Sequence, residues 1–119
     1  MKIYCAHSTA FDFRKEYYLP LSRLNGINHH VLVFPHDCGD GVQDSRSIIQ
    51  SCDLVVAEVS YPSTGMGIEL GWANACGKAV IAVHKQDIKP SASLNVITDR
   101  IYSYSSPDDL VNIVSGYLA

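Results

Sequence analysis

The sequence lacks the features that mark membrane, secreted and nucleic-acid-binding proteins. No apolar run approaches the length of a membrane span, and a strand-like segment follows Lys2 at once, so we expect no membrane segment and no signal peptide. No block of basic residues is present, and the formal net charge is -3, which argues against a general nucleic-acid surface. We therefore expect a cytoplasmic protein without membrane or nucleic-acid partners; a nucleotide-sized ligand is compatible with this charge.

Metal, redox and common nucleotide motifs are missing as well. None of the four cysteines shows the C-x-x-C spacing, and in an intracellular chain we interpret them as reduced, partly buried thiols. His36 and Cys38 lie close together, but no second pair of ligands follows at a usual spacing, so we predict no metal site and no cofactor. A Walker-type Gly-Lys-Ser/Thr and a Gly-x-Ser-x-Gly motif are also absent.

What is present indicates one globular domain. Hydrophobic residues make up 47% of the 119 residues and charged residues 18%, which is typical of a chain that builds its own core. The length predicts a single domain over residues 1–119.

Short apolar runs alternate with helical patterns along the chain. We predict five strands, at residues 2–6, 31–34, 54–59, 79–83 and 101–104. We predict helices at residues 11–24, 42–51, 65–76 and 110–118, and a short helix around Ser93. Pro20 predicts a kink or an early end of the first helix near Leu19. Ser106 followed by Pro107 is a typical start of the last helix.

This alternation predicts a three-layer, Rossmann-like α/β fold. Its five-stranded parallel sheet is expected to have the flavodoxin-like strand order 2-1-3-4-5, with right-handed crossovers. In that order, the loop after the first strand (residues 7–10) lies beside the loop after the third strand (residues 60–67). Ligands of open parallel sheets bind at such a place.

The glycine-rich loop after the third strand is the candidate binding site. Gly65 and Gly67 would let a ligand approach the backbone, and the N–H groups at a helix start bind anions. Ser63 can cap the helix and also donate its hydroxyl to an anion. The alternative is a well-capped turn without a ligand. A dinucleotide site is not indicated, because Leu70 stands where the third glycine would be.

Glu69 is the candidate catalytic residue. Acids near a helix start are common for reasons of the helix dipole alone, and that alternative stays open. The second interpretation is that the carboxylate of Glu69 points into the cleft, where it suits attack on the anomeric carbon of a sugar. A phosphate anchored at Ser63 and Gly65 would then fix the position of that sugar.

This central stretch resembles the nucleoside 2-deoxyribosyltransferase family, and is nearest its branch of 2′-deoxynucleoside 5′-monophosphate N-hydrolases. The resemblance lies in Asp53-Leu54-Val55-Val56-Ala57-Glu58-Val59, then Pro62-Ser63-x-Gly65-x-Gly67-x-Glu69-Leu70-Gly71-x-Ala73, then Gly77-Lys78-Ala79-Val80-Ile81. It implies an enzyme that cleaves the N-glycosidic bond of deoxynucleosides or their monophosphates. A motif glutamate attacks C1′, and the sugar passes to another base in transferases or to water in hydrolases.

The resemblance also implies roles for individual residues. Glu69 matches the nucleophile, and Tyr4 matches a tyrosine near the ligand in the first strand. Ser63 stands where transferases carry an acid that holds the 5′-hydroxyl of the sugar. Because a hydroxyl at a helix start binds phosphate whereas an acid would repel it, Ser63 favours a monophosphate substrate and hydrolysis.

Two further segments resemble substrate contacts of the family. His7, Ser8 and Thr9 resemble the segment that helps hold the phosphate. The arginine usual in that loop is not in register, and Arg14 is the nearest. Family members are dimers or larger assemblies, in which a loop of a neighbouring subunit closes the site. Ser93 and Asn95 resemble the contacts of that loop, so we expect a homodimer or higher homo-oligomer.

The family acid that assists the leaving base aligns with Ser45, and Asp44 is adjacent. A shift of one residue at the helix start would restore the acid, and we predict Asp44 for this role. The alternatives to a hydrolase are a transferase that exchanges bases, a non-catalytic nucleotide-binding domain, and a small flavin or redox protein. The base, the choice between deoxyribose and ribose, and the size of the oligomer stay open.

Overall fold

The computed structural model describes residues 1–38 and 44–118, in which five parallel strands form one sheet in the order β2-β1-β3-β4-β5. The predicted α/β class and the 2-1-3-4-5 order are confirmed. The strands are β1 (Lys2–His7), β2 (Val31–Val33), β3 (Leu54–Glu58), β4 (Ala79–Lys85) and β5 (Ile101–Tyr104).

Helices cover both faces of the sheet. They are α1 (Leu19–Leu21), α2 (Ser45–Ser51), α3 (Thr64–Ala75), α4 (Leu94–Ile97) and α5 (Pro107–Ser115). Alternate strand residues point to opposite faces, so the core has two halves. One half packs Tyr17, Leu21 and Leu110 against the sheet, and the other packs Ile49 and Leu70. Within the described residues, no helix combines the length and apolarity that crossing a membrane requires.

The first helical segment is less regular than predicted. It begins as a π turn at Arg14–Tyr18, continues through α1 and ends in a 3-10 turn at Ser22–Leu24. The helical segment continues past Leu19, so the prediction that it ends early at this residue is wrong. The N–H of Leu19 bonds to the carbonyl of Arg14, five residues back, and this wider turn leads the chain past Pro20, which has no N–H to donate.

The other boundaries differ from the predicted ones by a few residues. The predicted helix over 42–51 begins at Ser45 with Asp44 as its cap, and residues 42 and 43 lie outside the described residues. Serine caps start two helices: Ser63 for α3 and, as predicted, Ser106 for α5. Because α5 starts directly after Ser106, it covers 107–115 rather than 110–118.

The strand register brings the candidate site together. His7 at the end of β1 lies opposite Glu58 at the end of β3, and Glu58 lies opposite Val83 of β4. The loops after β1 and β3 therefore leave the sheet at the same level and side by side, as predicted. Helix α3 follows the second of these loops, which places its N-terminus at this edge.

Candidate active site

Tyr4 and Glu69 form a direct pair between β1 and α3. Tyr4 is buried in β1 and donates its hydroxyl to Oε2 of Glu69, which is only partly buried. Burial first, and then this hydrogen bond, raise the pKa of Tyr4 above its usual range, so the phenol stays protonated and keeps donating. Among the described residues, no other donor bonds to this carboxylate. The second oxygen of Glu69 accepts no hydrogen bond from the part of the chain that the structure describes.

The start of α2 brings Ser45, rather than Asp44, to this pair. The Ser45 hydroxyl interacts with the Tyr4 hydroxyl, which offsets part of the rise in the pKa of Tyr4. The carboxylate of Asp44 instead accepts hydrogen bonds from the N–H (3.3 Å) and the hydroxyl (2.7 Å) of Ser47. These bonds lower the pKa of the exposed Asp44. In this structure Asp44 caps α2, and its contacts are with the first turn of that helix.

Helix α3 starts at an open, uncharged N-terminus. Ser63 Oγ accepts the N–H of Met66 at 3.3 Å, which leaves the hydroxyl hydrogen of Ser63 available to a ligand. Gly65 and Gly67 are exposed, and a Cβ added at either would meet no atom closer than 4.0 Å. Each glycine costs about 1 kcal/mol relative to alanine inside a helix. Since packing in the described residues does not require them, they are free to admit a ligand.

The three predicted phosphate contacts at the end of β1 and in the loop after it differ in burial. His7 is the last residue of β1 and is buried; its Nδ1 donates to the carbonyl of Ser8 (2.8 Å), and its Nε2 accepts the Tyr18 hydroxyl (2.6 Å). Burial lowers the pKa of His7 to about 4, so the ring is neutral and both nitrogens are occupied. Ser8 is buried and accepts the N–H of Ala10 at 3.0 Å, whereas Thr9 is exposed.

Arg14 does not reach into the loop as a free cation. Its guanidinium forms an ion pair with Asp37 and donates to the carbonyl of His36 at 3.2 Å. These contacts hold the first helical segment against the turn after β2. The role of the missing loop arginine is therefore not taken over by Arg14 in this arrangement.

Ser93 and Asn95 lie on the other flank of α3. Ser93 precedes α4, is exposed, and lines a cavity of about 580 Å³ together with Ser63 and Gly67. Asn95, in α4, is exposed and donates to the carbonyl of Ala92 at 3.1 Å. Neither member of the Tyr4–Glu69 pair lines this cavity. Within one chain, the structure does not bring Ser93 and Asn95 to the Tyr4–Glu69 pair.

Sequence reasoning missed an aromatic and cationic cluster beside the loops. Phe11 stacks on Tyr61 with ring centres 5.3 Å apart, and the Lys85 ammonium lies 5.3 Å from the centre of the Phe11 ring. Lys85 also donates to the Tyr61 hydroxyl and to Glu16, both at 3.1 Å. The sequence signal is weak: Phe11 and Tyr61 come shortly after β1 and β3, and Lys85 is the last residue of β4, but these positions do not predict their contacts.

Comparisons with known proteins identify the family. The family described as nucleoside 2-deoxyribosyltransferase matches residues 16–99. The chain belongs to the nucleoside 2-deoxyribosyltransferase family. This confirms the resemblance seen in the central stretch, which lies within the matched residues.

Three curated relatives match over shorter stretches. A 5-hydroxymethyl-dUMP N-hydrolase of Branchiostoma floridae is 35% identical over 65 residues, covering 51% of this chain and 62% of the relative. A rat protein of the same name is 49% identical over 37 residues, covering 31% and 23%. A Thermofilum pendens protein, named as a 2′-deoxynucleoside 5′-phosphate N-hydrolase, is 34% identical over 76 residues, covering 60% and 53%. The chain thus spans less than two thirds of each relative's length.

Solved structures share the fold over nearly the whole chain. A CMP N-glycosidase of Clostridium botulinum superposes with a TM-score of 0.68 at 20% identity, covering 97% of this chain and 99% of that one. A 2-desoxiribosyltransferase of Leishmania mexicana gives 0.69 at 19% identity, covering 98% and 99%. At this level of identity, these matches show the fold.

Proposed function

We propose that this protein is an enzyme that hydrolyses the N-glycosidic bond of (deoxy)nucleoside 5′-monophosphates, releasing a free base and a sugar phosphate. The observation that carries the proposal is the hydrogen bond from Tyr4 to Glu69, on a helix whose N-terminus is open. The names of the curated relatives, all nucleotide N-hydrolases, support the same reaction class.

Glu69 supplies the nucleophile in this proposal. One carboxylate oxygen attacks C1′ of the sugar; the new C1′–O bond forms as the C1′–N bond breaks, and its electron pair goes to the base nitrogen. Water then attacks C1′ as the C1′–O bond to Glu69 breaks, and the electron pair of that bond returns to the carboxylate. The proton that the water gives up balances the proton that the released base nitrogen takes up, so the products are the free base, the sugar phosphate and the original carboxylate. Tyr4 holds the other oxygen of Glu69, which fixes the direction of the attacking one.

The start of α3 supplies the phosphate site. The hydroxyl of Ser63 and the N–H groups of the first turn are donors without a charge to repel an anion, and the helix dipole favours a phosphate there. Gly65 and Gly67 leave the backbone accessible. Ser8 and Thr9, in the loop after β1, border the neighbouring side of this edge, and His7 supports them from within.

The residue that would protonate the leaving base decides between the proposed function and a second candidate. Asp44, our predicted acid, would have to leave its cap and give up two hydrogen bonds to Ser47 in order to act. Ser45 stands at the aligned position and is no acid at physiological pH. This observation favours, as the second candidate, a nucleotide-binding domain that does not turn its ligand over.

We further propose a homodimer or larger assembly in the cytoplasm. Ser93 and Asn95 are exposed, and neither lies at the Tyr4–Glu69 pair of its own chain, although Ser93 shares a cavity with Ser63. Contacts of this segment with a Tyr4–Glu69 pair would therefore need another copy. Val96, beside them, is 83% exposed. The four cysteines are free thiols, as in a reducing compartment.

Base release tests the proposed function. The protein is incubated with deoxynucleoside and ribonucleoside 5′-monophosphates and with the matching nucleosides, each with and without a free acceptor base, and the products are separated. We expect free base and sugar phosphate from monophosphates, and none from the matched Glu69→Gln variant. Exchanged nucleoside that forms only with an acceptor base would indicate a transferase. Binding without any product would select the second candidate.

A further inference from the structure

A second carboxylate near the site, Glu58, takes no part in the proposed chemistry. It ends β3, is fully buried, and is the one acid in an otherwise apolar strand. Within residues 1–38 and 44–118, no lysine or arginine forms an ion pair with it. Lys85, at the end of the neighbouring strand, is bonded to Glu16 and Tyr61 instead. A buried carboxylate without a cation is costly unless hydrogen bonds replace its water.

Those hydrogen bonds all come from the protein. Oε1 of Glu58 accepts the N–H of Ser60 at 2.6 Å. Oε2 accepts the Ser60 hydroxyl at 3.1 Å and the Tyr104 hydroxyl. Both oxygens are therefore occupied, and the partners come from β5 and from the loop that follows β3. This arrangement suits a residue that holds structure in place, since neither oxygen is free for a substrate.

Ser60 is the residue that these bonds hold. Its hydroxyl donates to Glu58 and accepts the N–H of Lys85 at 2.8 Å, so it links the chain to β4 after β3 has ended. Only Tyr61 and Pro62 separate Ser60 from Ser63, and the ring of Pro62 restricts that connection. The position of Ser60 therefore sets where α3 starts.

We infer that Glu58 is a positioning residue for the phosphate-binding start of α3, acting through Ser60 on Ser63. The inference rests on the proposed function, because it assigns the phosphate to that helix start. In this role the buried carboxylate of Glu58 ties the loop after β3 to β4 and β5. The Ser63 hydroxyl and the first N–H groups of α3 are then in place before a nucleotide binds.

The test compares Glu58→Gln and Tyr104→Phe with a control variant that is destabilised elsewhere in the same half of the core, and urea unfolding measures the stability of all three. Tyr104→Phe removes one donor and keeps the ring, so it serves if Glu58→Gln does not fold. Val114→Ala, in α5 on the same half of the core, destabilises the protein without touching Ser60. We expect KM for a monophosphate to rise about tenfold in Glu58→Gln and about threefold in Tyr104→Phe, with kcat within twofold. Val114→Ala should change neither constant.

A signal from the ligand-free protein separates this inference from the proposed function. The Met66 amide reports on the cap, because it donates to Ser63 Oγ, and its NMR shift should move in Glu58→Gln and Tyr104→Phe but not in Val114→Ala. If the parent releases base while KM is unchanged in both variants, the inference is wrong and the function stands. If the parent releases no base, the proposed function fails. In that case an unchanged Met66 amide shift in both variants overturns the inference as well, whereas a changed shift in both variants supports the positioning role.

Discussion

Two pairs of tyrosine and glutamate lie on opposite faces of the sheet and differ in the exposure and in the hydrogen bonding of the carboxylate. In both, a phenol donates to Oε2: Tyr4 to Glu69, and Tyr104 to Glu58. Glu69 is partly exposed and has this one donor among the described residues, whereas Glu58 is fully buried and has three. A nucleophile needs an accessible oxygen, while a structural carboxylate needs every oxygen satisfied. Glu69 therefore meets the requirement for the proposed nucleophile, and Glu58 meets the requirement for the proposed positioning residue.

The largest expected effect is on the reaction of the exposed pair. Glu69→Ala should reduce base release at least about a thousandfold, since it removes the proposed nucleophile. It should lower the free energy of unfolding by only about 1 kcal/mol, because the Tyr4 hydroxyl loses this acceptor but stays beside Ser45. Product analysis and urea unfolding measure the two quantities. Substantial base release by Glu69→Ala would remove the distinction between the two pairs.

The buried pair should respond in the opposite way. Glu58→Ala leaves the Ser60 and Tyr104 donors without an acceptor in the core, so we expect it to lower the free energy of unfolding by about 3 kcal/mol. Urea unfolding of this variant beside Glu69→Ala measures the contrast. Equal stability of the two alanine variants would show that burial does not distinguish the pairs.

A third tyrosine donor extends the comparison to pH. Tyr18 donates to the buried, neutral His7, whose pKa is lowered to about 4 from an ordinary 6.5. The pKa of His7 is lower in the folded state than in the unfolded state. The stability that neutral His7 contributes is therefore fully present above pH 6.5 and is lost as the pH falls towards 4. We expect the protein to lose about 2 kcal/mol of stability between pH 8 and pH 5 from this group. Thermal unfolding across that range should be flatter in His7→Phe; an identical slope would contradict the assignment.

The smallest expected effect is that of the Tyr4 hydroxyl. Tyr4→Phe keeps the ring in the core and removes the hydroxyl that bonds to Glu69 and interacts with Ser45. Because the bond to Glu69 orients its carboxylate, kcat should fall about tenfold while KM for a monophosphate changes little. Steady-state kinetics separates the two constants. A large rise in KM with unchanged kcat would mean that Tyr4 contacts the substrate rather than the nucleophile.

The predictions that succeeded depend on short stretches of sequence and on the order of strands and helices. Ser63 as the cap of α3 follows from the chemistry of helix ends. The same chemistry explains why Gly77, with a φ of +69°, lies just beyond the end of this helix. The strand order follows from the alternation of strands and helices. The sequence predicts Glu69 in the first turn of this helix, but α3 begins at Thr64, so Glu69 lies in the second turn.

Predictions that depended on distant contacts could not be made from the sequence. Asp44 and Ser45 differ by one position, and only the cap bonds to Ser47 show which of them turns away from Tyr4. The contact that keeps Glu58 in place comes from Tyr104, 46 residues further along the chain. Such separations leave no periodic signal, so the acid in β3 could be noticed but not explained.

The glycines of α3 also bear on how the protein folds. Gly65, Gly67 and Gly71 together make this helix about 3 kcal/mol less favourable than an alanine equivalent, so an isolated α3 peptide should be largely unstructured in water. Its helix forms because Met66 and Leu70 pack into the core. The carboxylate of Glu69 therefore acquires its orientation towards Tyr4 only when α3 packs onto the sheet, so an unfolded or partly folded chain would lack the geometry on which the proposed reaction depends.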